Sequence, residues 1–160
     1  MFFRDDHRPS IRPKCFLAAV LTLSLAASAD ILFGNRMDWL PWHNSYRRDG
    51  EVLRDGLLLA CLAIYVVRIY FTLFVFFRRI LMWREALIVS SIMPWCVLYA
   101  AQAARQSDPV GLMEVAGLLL YAAGSYVNSA GEYARFRFKS DPANAGRLYT
   151  GGLFARVRHV

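Results

Sequence analysis

The sequence is short of the features from which soluble sites are usually built. It has only three cysteines, Cys15, Cys61 and Cys96, with no C-x-x-C spacing among them. An odd set of thiols in or at the edge of apolar runs indicates neither a disulfide framework nor a zinc site, and reads as buried small hydrophobes. No metal is expected. There is no G-x-G-x-x-G after a strand and no P-loop, so any nucleotide must be held by something other than a Rossmann or Walker unit. Acidic residues are few, 12 against 19 Lys and Arg, for a net charge of +7. Taken alone, that balance admits a nucleic acid or an anionic membrane as partner. Charged residues are only 19% of the chain while hydrophobic ones are 57%, which excludes both a disordered chain and an ordinary soluble domain.

What is there is four apolar windows, 16–33, 57–77, 86–104 and 110–129. Each is long enough to cross a bilayer core as a helix. Together they contain three formal charges, Asp30, Arg68 and Glu114. The expected fold class is therefore all-α: a polytopic membrane helical bundle of four transmembrane helices with a cytoplasmic basic helix-loop extension over 130–160, all in one integral membrane domain. Thirteen of the 19 Lys and Arg precede the first window, lie between the second and third, or follow the fourth. By the positive-inside rule both termini face the cytoplasm, of a bacterial inner membrane or an endomembrane. Trp39, Trp42, Tyr46 and Trp83 stand where interfacial anchors would. The first window also fits a cleavable secretory signal, because a basic lead-in and Phe16 to Ala26 are followed by Ala27-Ser28-Ala29. Since topology explains the charge and no recognition module is present, no nucleic-acid partner is expected; the partners are the lipid bilayer and a lipid-like small molecule.

Two charges stand out inside the windows. Arg68 lies near the middle of its window, where an arginine costs about 2.5 to 3.5 kcal/mol on insertion scales. It reads either as part of a site or relay inside the bundle, or as an interhelical pair or snorkelling side chain. Glu114 is the acid available in the later windows, yet it lies about 10 Å nearer the outer end of its own helix at 1.5 Å per residue.

The most informative stretch runs from Gly124 to Val160. Ser125, Asn128, Glu132, Arg135 and Lys139 follow one another at spacings of 3, 4, 3 and 4, which is one face of a helix continuing out of the membrane. Gly117, Gly124 and Gly131 repeat every seven residues on a neighbouring face, where missing side chains let a helix or a ligand approach. Asp141-Pro142 should end the helix. A glycine-rich basic loop follows, with Arg147, Gly151 and Gly152, then Arg156, Arg158 and His159. Arg135, Lys139, Arg147, Arg156 and Arg158 beside flexible backbone amides suit a polyanion such as a dinucleotide phosphate, and equally suit lipid headgroups.

The residues Gly124-Ser125-Tyr126-Val127-Asn128, Glu132-Tyr133, Lys139, Pro142 to Phe154 and Arg158-His159 resemble the C-terminal region of the steroid 5-alpha-reductase-like membrane family, itself distantly similar to the isoprenylcysteine carboxyl methyltransferases. The segment Arg68 to Glu85 is similar to an uncharacterised branch of the same family. The resemblance implies an oxidoreductase acting on CH-CH groups, which uses NADPH from the cytoplasm to reduce a carbon-carbon double bond of a lipid or sterol-like substrate. By the same resemblance Asn128 and Glu132 match residues near the nicotinamide ribose, and Lys139 matches a basic residue of the phosphate-binding helix. Gly151 and Gly152 open the Gly-Gly-Leu-Phe loop, Arg158 and His159 match an Arg-His pair, and Arg135, Arg147 and Tyr149 complete the cofactor-binding set.

The chain departs from the family after Val160, where other members continue into Asn-Tyr-x-Gly and at least one further helix. A C-terminally truncated member with weak or no activity is the expectation. No proton donor is assigned; Tyr126, Tyr133 and Tyr149 qualify by chemistry only, against the simpler reading as interfacial aromatics. Two alternatives remain open. One is a membrane methyltransferase using S-adenosylmethionine, and the other a non-catalytic membrane protein whose basic tail binds anionic lipid.

Overall fold

A computed structural model describes residues 10–34, 52–77, 80–104 and 110–155, with Leu153 described by its backbone alone. Every regular element among these residues is helical. The helices are α1 (Ile11–Phe33), α2 (Val52–Phe71) running on into a π-helical stretch (Thr72–Phe76), α3 (Trp83–Ala104) and α4 (Leu112–Ser140). Short 3₁₀ turns follow at Pro142–Asn144 and Gly152–Ala155. The chain divides into two compact units, Met1–Gly111 and Leu112–Val160.

Among the described residues three helices are long and apolar enough to cross a membrane: Ile11–Phe33, Val52–Phe76 and Trp83–Ala104. The first and third windows fall within them and the second does so up to Phe76, and each helix starts earlier than its window because polar residues such as Arg12, Arg54 and Arg84 extend the helix beyond its apolar part. The fourth window lies within α4 from Leu112 onward, but Glu114, Ser125 and Asn128 dilute its apolar character and α4 is not one of the three. The chain is an all-helical integral membrane protein.

In the first unit α1 packs chiefly along α3 and, over a shorter stretch, along α2. Its buried positions, Pro13, Leu17, Leu21, Ser24, Ser28 and Ile31, recur at three- and four-residue spacing, which makes one helix face. Across from it α3 offers Ala86, Val97 and Ala101, and α2 offers Leu62 and Val66. Small side chains let two backbones approach, which is how helices associate where lipid supplies no hydrophobic drive. The buried serines satisfy themselves: Ser24 Oγ donates to Val20 O at 2.8 Å and Ser28 Oγ to Ser24 O at 2.9 Å. Leu17 and Leu21 sit in this core, so α1 supplies the unit's main packing face.

Polar contacts fasten one end of the unit. The Ser10 hydroxyl accepts from Leu81 N at 2.9 Å, and Lys14 Nζ donates to Phe77 O at 2.7 Å while lying 5.5 Å from that ring's centre. A cation at the carbonyl end of a helix is favourably placed. Tyr70 Oη donates to Ala18 O at 2.9 Å and also meets the Thr22 hydroxyl, tying α2 to α1. Phe16 packs on Trp83 with ring centres 5.7 Å apart. Inside α3, Pro94 has no amide for the Ser90 carbonyl, and Ser90 Oγ is buried without a partner.

The cysteines correct the sequence reading. Cys15 and Cys96 are exposed and Cys61 is only half-buried, all three as free thiols. Helix sides carrying Ile64, Val67, Ile88, Ile92 and Trp95 are exposed too, and in a membrane lipid is the neighbour of such sides. Burial in the protein is therefore not what these thiols share; they lie on or near the outer sides of the helices.

Candidate functional site

The second unit is built on α4, 29 residues without a break, about 43 Å at 1.5 Å per residue. Helical order continues through Glu132 to Ser140, so the polar ladder exists as one face. Ser125, Asn128 and Glu132 along it are half-buried, while Arg135 and Lys139 are exposed. The Ser125 hydroxyl is buried with no hydrogen-bond partner. Glu132 Oε1 lies 3.8 Å from Arg135 Nη1, a loose pair one turn apart. Arg137 and Lys139 stand in the last turn, where cations offset the negative end of the helix dipole.

Beyond Ser140 the chain turns sharply, and the reason is local. Asp141 is extended, its carboxylate accepts from Ala143 N at 2.9 Å, and Pro142 opens a single 3₁₀ turn. Side chains add to the last turn: Asn144 Nδ2 donates to the orphan carbonyl of Phe138 at 3.2 Å, and Ser140 Oγ donates to Phe136 O at 2.8 Å. Gly146, at φ 76°, takes the left-handed conformation that sends the chain back toward the helix. There Lys139 Nζ donates to Arg147 O at 2.8 Å.

Aromatic packing then sets the glycine loop. Tyr149 lies between Phe138, at 5.1 Å between ring centres, and Phe154, at 5.5 Å. Gly151 runs so close to the Tyr149 ring that a Cβ there would come within 3.1 Å of it, and Gly152 has φ 56°. A side chain at 151 would therefore press on the Tyr149 ring, and glycine at 152 is favoured by backbone conformation. The loop is held by its own side chains.

Of the site residues expected from the sequence, Asn128, Glu132, Arg135 and Lys139 share a face, and Arg147 is brought to Lys139 through its carbonyl. Tyr149, Gly151 and Gly152 touch each other. The Tyr149 ring is occupied as a spacer, whereas Tyr126 and Tyr133 are exposed. Arg156, Arg158 and His159 lie outside the described residues, as do Trp39, Trp42 and Tyr46. Gly117 and Gly124 face open space, so the described structure shows no packing partner for that stripe, while Gly131 is buried. Sequence reasoning missed Phe138 and Asn144. The aromatics at 138, 149 and 154 flanking three glycines were the signal available.

The donor set suits an anion carrying hydroxyls. The Lys139 ammonium has two of its three protons left after the Arg147 bond, Arg135 is half solvent-facing, and Glu132 and Asn128 can hydrogen-bond hydroxyl groups one and two turns away. A family model described as "Protein of unknown function (DUF1295)" matches residues 40–160. The chain belongs to that family. This DUF1295 protein is also 44% identical over 43 residues to "Probable O-methyltransferase ustE" of Ustilaginoidea virens. That likeness takes in 27% of the present chain and only 15% of the relative. No solved structure matches.

Proposed function

We propose that this DUF1295 protein is a membrane oxidoreductase that takes NADPH from the cytoplasm at the α4 extension and reduces a carbon-carbon double bond in a lipid or sterol-like substrate. The single observation that supports the reading is the unbroken run of α4 to Ser140, which keeps Asn128, Glu132, Arg135 and Lys139 on one face and sets Arg147 against the last turn. The cations neutralise phosphate, which the carbonyl end of a helix would otherwise repel. Asn128 and Glu132 orient ribose hydroxyls. When bound, NADPH supplies a hydride; the residues of this chain hold and orient it. Counting the apolar first part of α4 as a fourth crossing puts thirteen of the 19 Lys and Arg on one side, and on that count both termini, and cofactor entry, are cytoplasmic.

A second reading, a membrane methyltransferase using S-adenosylmethionine, is favoured by the likeness to the probable O-methyltransferase of Ustilaginoidea virens. Charge separates the two. S-adenosylmethionine carries a sulfonium cation and no phosphate, so a face bearing Arg135, Lys139 and Arg147 favours NADPH. Calorimetric titration of the protein in lipid nanodiscs with each compound decides. NADPH binding that weakens with salt is the expected result. A clear preference for the methyl donor overturns the reductase, and binding of neither leaves the basic tail as an anionic-lipid contact.

A further inference from the structure

We infer that Arg68 is the anchor of a binding site, within the membrane, for the carboxylate of an apolar molecule such as a long-chain acid. The inference is independent of the cofactor reading, since it rests on α2 alone. Arg68 belongs to the membrane-length helix Val52–Phe76, eight residues before its end, which is about 12 Å of axial depth. It is half-buried, and its guanidinium carbon lies 5.7 Å from the centre of the Tyr65 ring. Tyr65 is one turn toward the helix N-terminus. The side chain therefore leans back along α2, as the Cα–Cβ bond directs it, and away from the nearer end where Lys14 meets the Phe77 carbonyl. That is the opposite of snorkelling to the nearer interface.

Within its own unit, and among the described residues, Arg68 pairs with no carboxylate. An aromatic face attracts a guanidinium but leaves its fork of donors unused. A desolvated arginine needs an anion, and a planar carboxylate accepts two parallel hydrogen bonds from the fork. A monoanion is the least costly to bring below the headgroups, and its apolar chain would lie along the exposed Ile64, Val67 and Phe71 side of α2. The backbone beside Arg68 is already unusual. The Thr72 hydroxyl donates to Arg68 O at 3.1 Å, and Thr72 opens the π-helical stretch. Such widened turns recur at functional positions in helices.

The test uses the full chain in nanodiscs of neutral phosphatidylcholine, with cis-parinaric acid and its methyl ester as fluorescent probes, read above empty discs. The acid should bind at least tenfold more tightly than the ester, Arg68→Gln should lose at least tenfold for the acid alone, and Arg68→Lys should recover part of it. Excess inorganic phosphate should not compete, which separates a lipophilic acid from a free anion. Because the described residues of its own unit offer Arg68 no carboxylate, Arg68→Gln should melt at the same or a higher temperature than the parent, so misfolding is not the cause of lost binding. Equal affinity for acid and ester overturns the inference. So does a fall in melting temperature on Arg68→Gln that Glu114→Gln reproduces and the double variant does not deepen, because that is the signature of an internal ion pair.

Discussion

The two units of this protein are both helical, yet their order comes from different sources. In the first, α1 buries a face of leucines and serines against alanines and valines of α3, and the order is a matter of close packing between helices. In the second, α4 buries a single residue of its own, Gly131, and the order lies in its terminal cap: an Asx-Pro turn, a lysine bonded to a carbonyl, and one tyrosine held between two phenylalanines. The packed unit keeps its polar groups few and mostly self-satisfied. The other displays them. On the proposed reading that division has a use, because the polar groups of α4 are the ones a water-soluble cofactor would meet.

Breaking the packed unit should produce the largest effect. Leu21 is fully buried between α1 and its neighbours, and Leu21→Ala should cost about 2 to 5 kcal/mol. Thermal melting in detergent measures this, and a change in the 141–155 loop of equal size would blur the distinction between the units. Next comes Tyr149→Ala. Two ring contacts, each worth about 0.5 to 1.5 kcal/mol beyond buried area, vanish. Hydrogen exchange should accelerate across 141–155 while the core of α1 stays protected, and NADPH affinity should fall about tenfold, the equivalent of about 1.4 kcal/mol. Gly151→Ala tests the same clamp from the other side, since its methyl group would press on the Tyr149 ring at 3.1 Å. A loss of about 1 kcal/mol in loop stability is expected, of the size found for overpacking.

Lys139→Met should have a smaller effect on stability, about 1 kcal/mol, because its bond to Arg147 O is exposed to water. Its NADPH binding should weaken and lose part of its salt dependence. The smallest change in stability belongs to Arg135→Gln. The 3.8 Å pair with Glu132 is a surface contact worth about 0 to 1 kcal/mol, so melting should barely move while NADPH affinity drops. Unchanged affinity in both Lys139→Met and Arg135→Gln would remove the polar face from the binding site.

The helical class, the places where the three membrane-length helices run, and the stop at Asp141-Pro142 follow from the sequence by itself. Long apolar runs have few ways to satisfy their backbone in lipid, and at Asp141-Pro142 an aspartate that caps the turn joins a proline that disfavours helix before it, where Pro94 alone does not stop α3. The common face of Asn128, Glu132, Arg135 and Lys139 was readable for the same reason, since a helix of fixed period decides which side chains are neighbours. Contacts between residues far apart in the chain were not readable in this way. Nothing in the spacing said that Tyr149 would be a spacer between Phe138 and Phe154, that Lys139 would hold Arg147 by its carbonyl, or that Arg68 would lean on Tyr65 away from the nearer end of its helix. Nor did an apolar neighbourhood say whether Cys96 would meet protein or lipid. Local periodicity determines which side of a helix a residue occupies; only tertiary structure decides what, if anything, comes to meet it there.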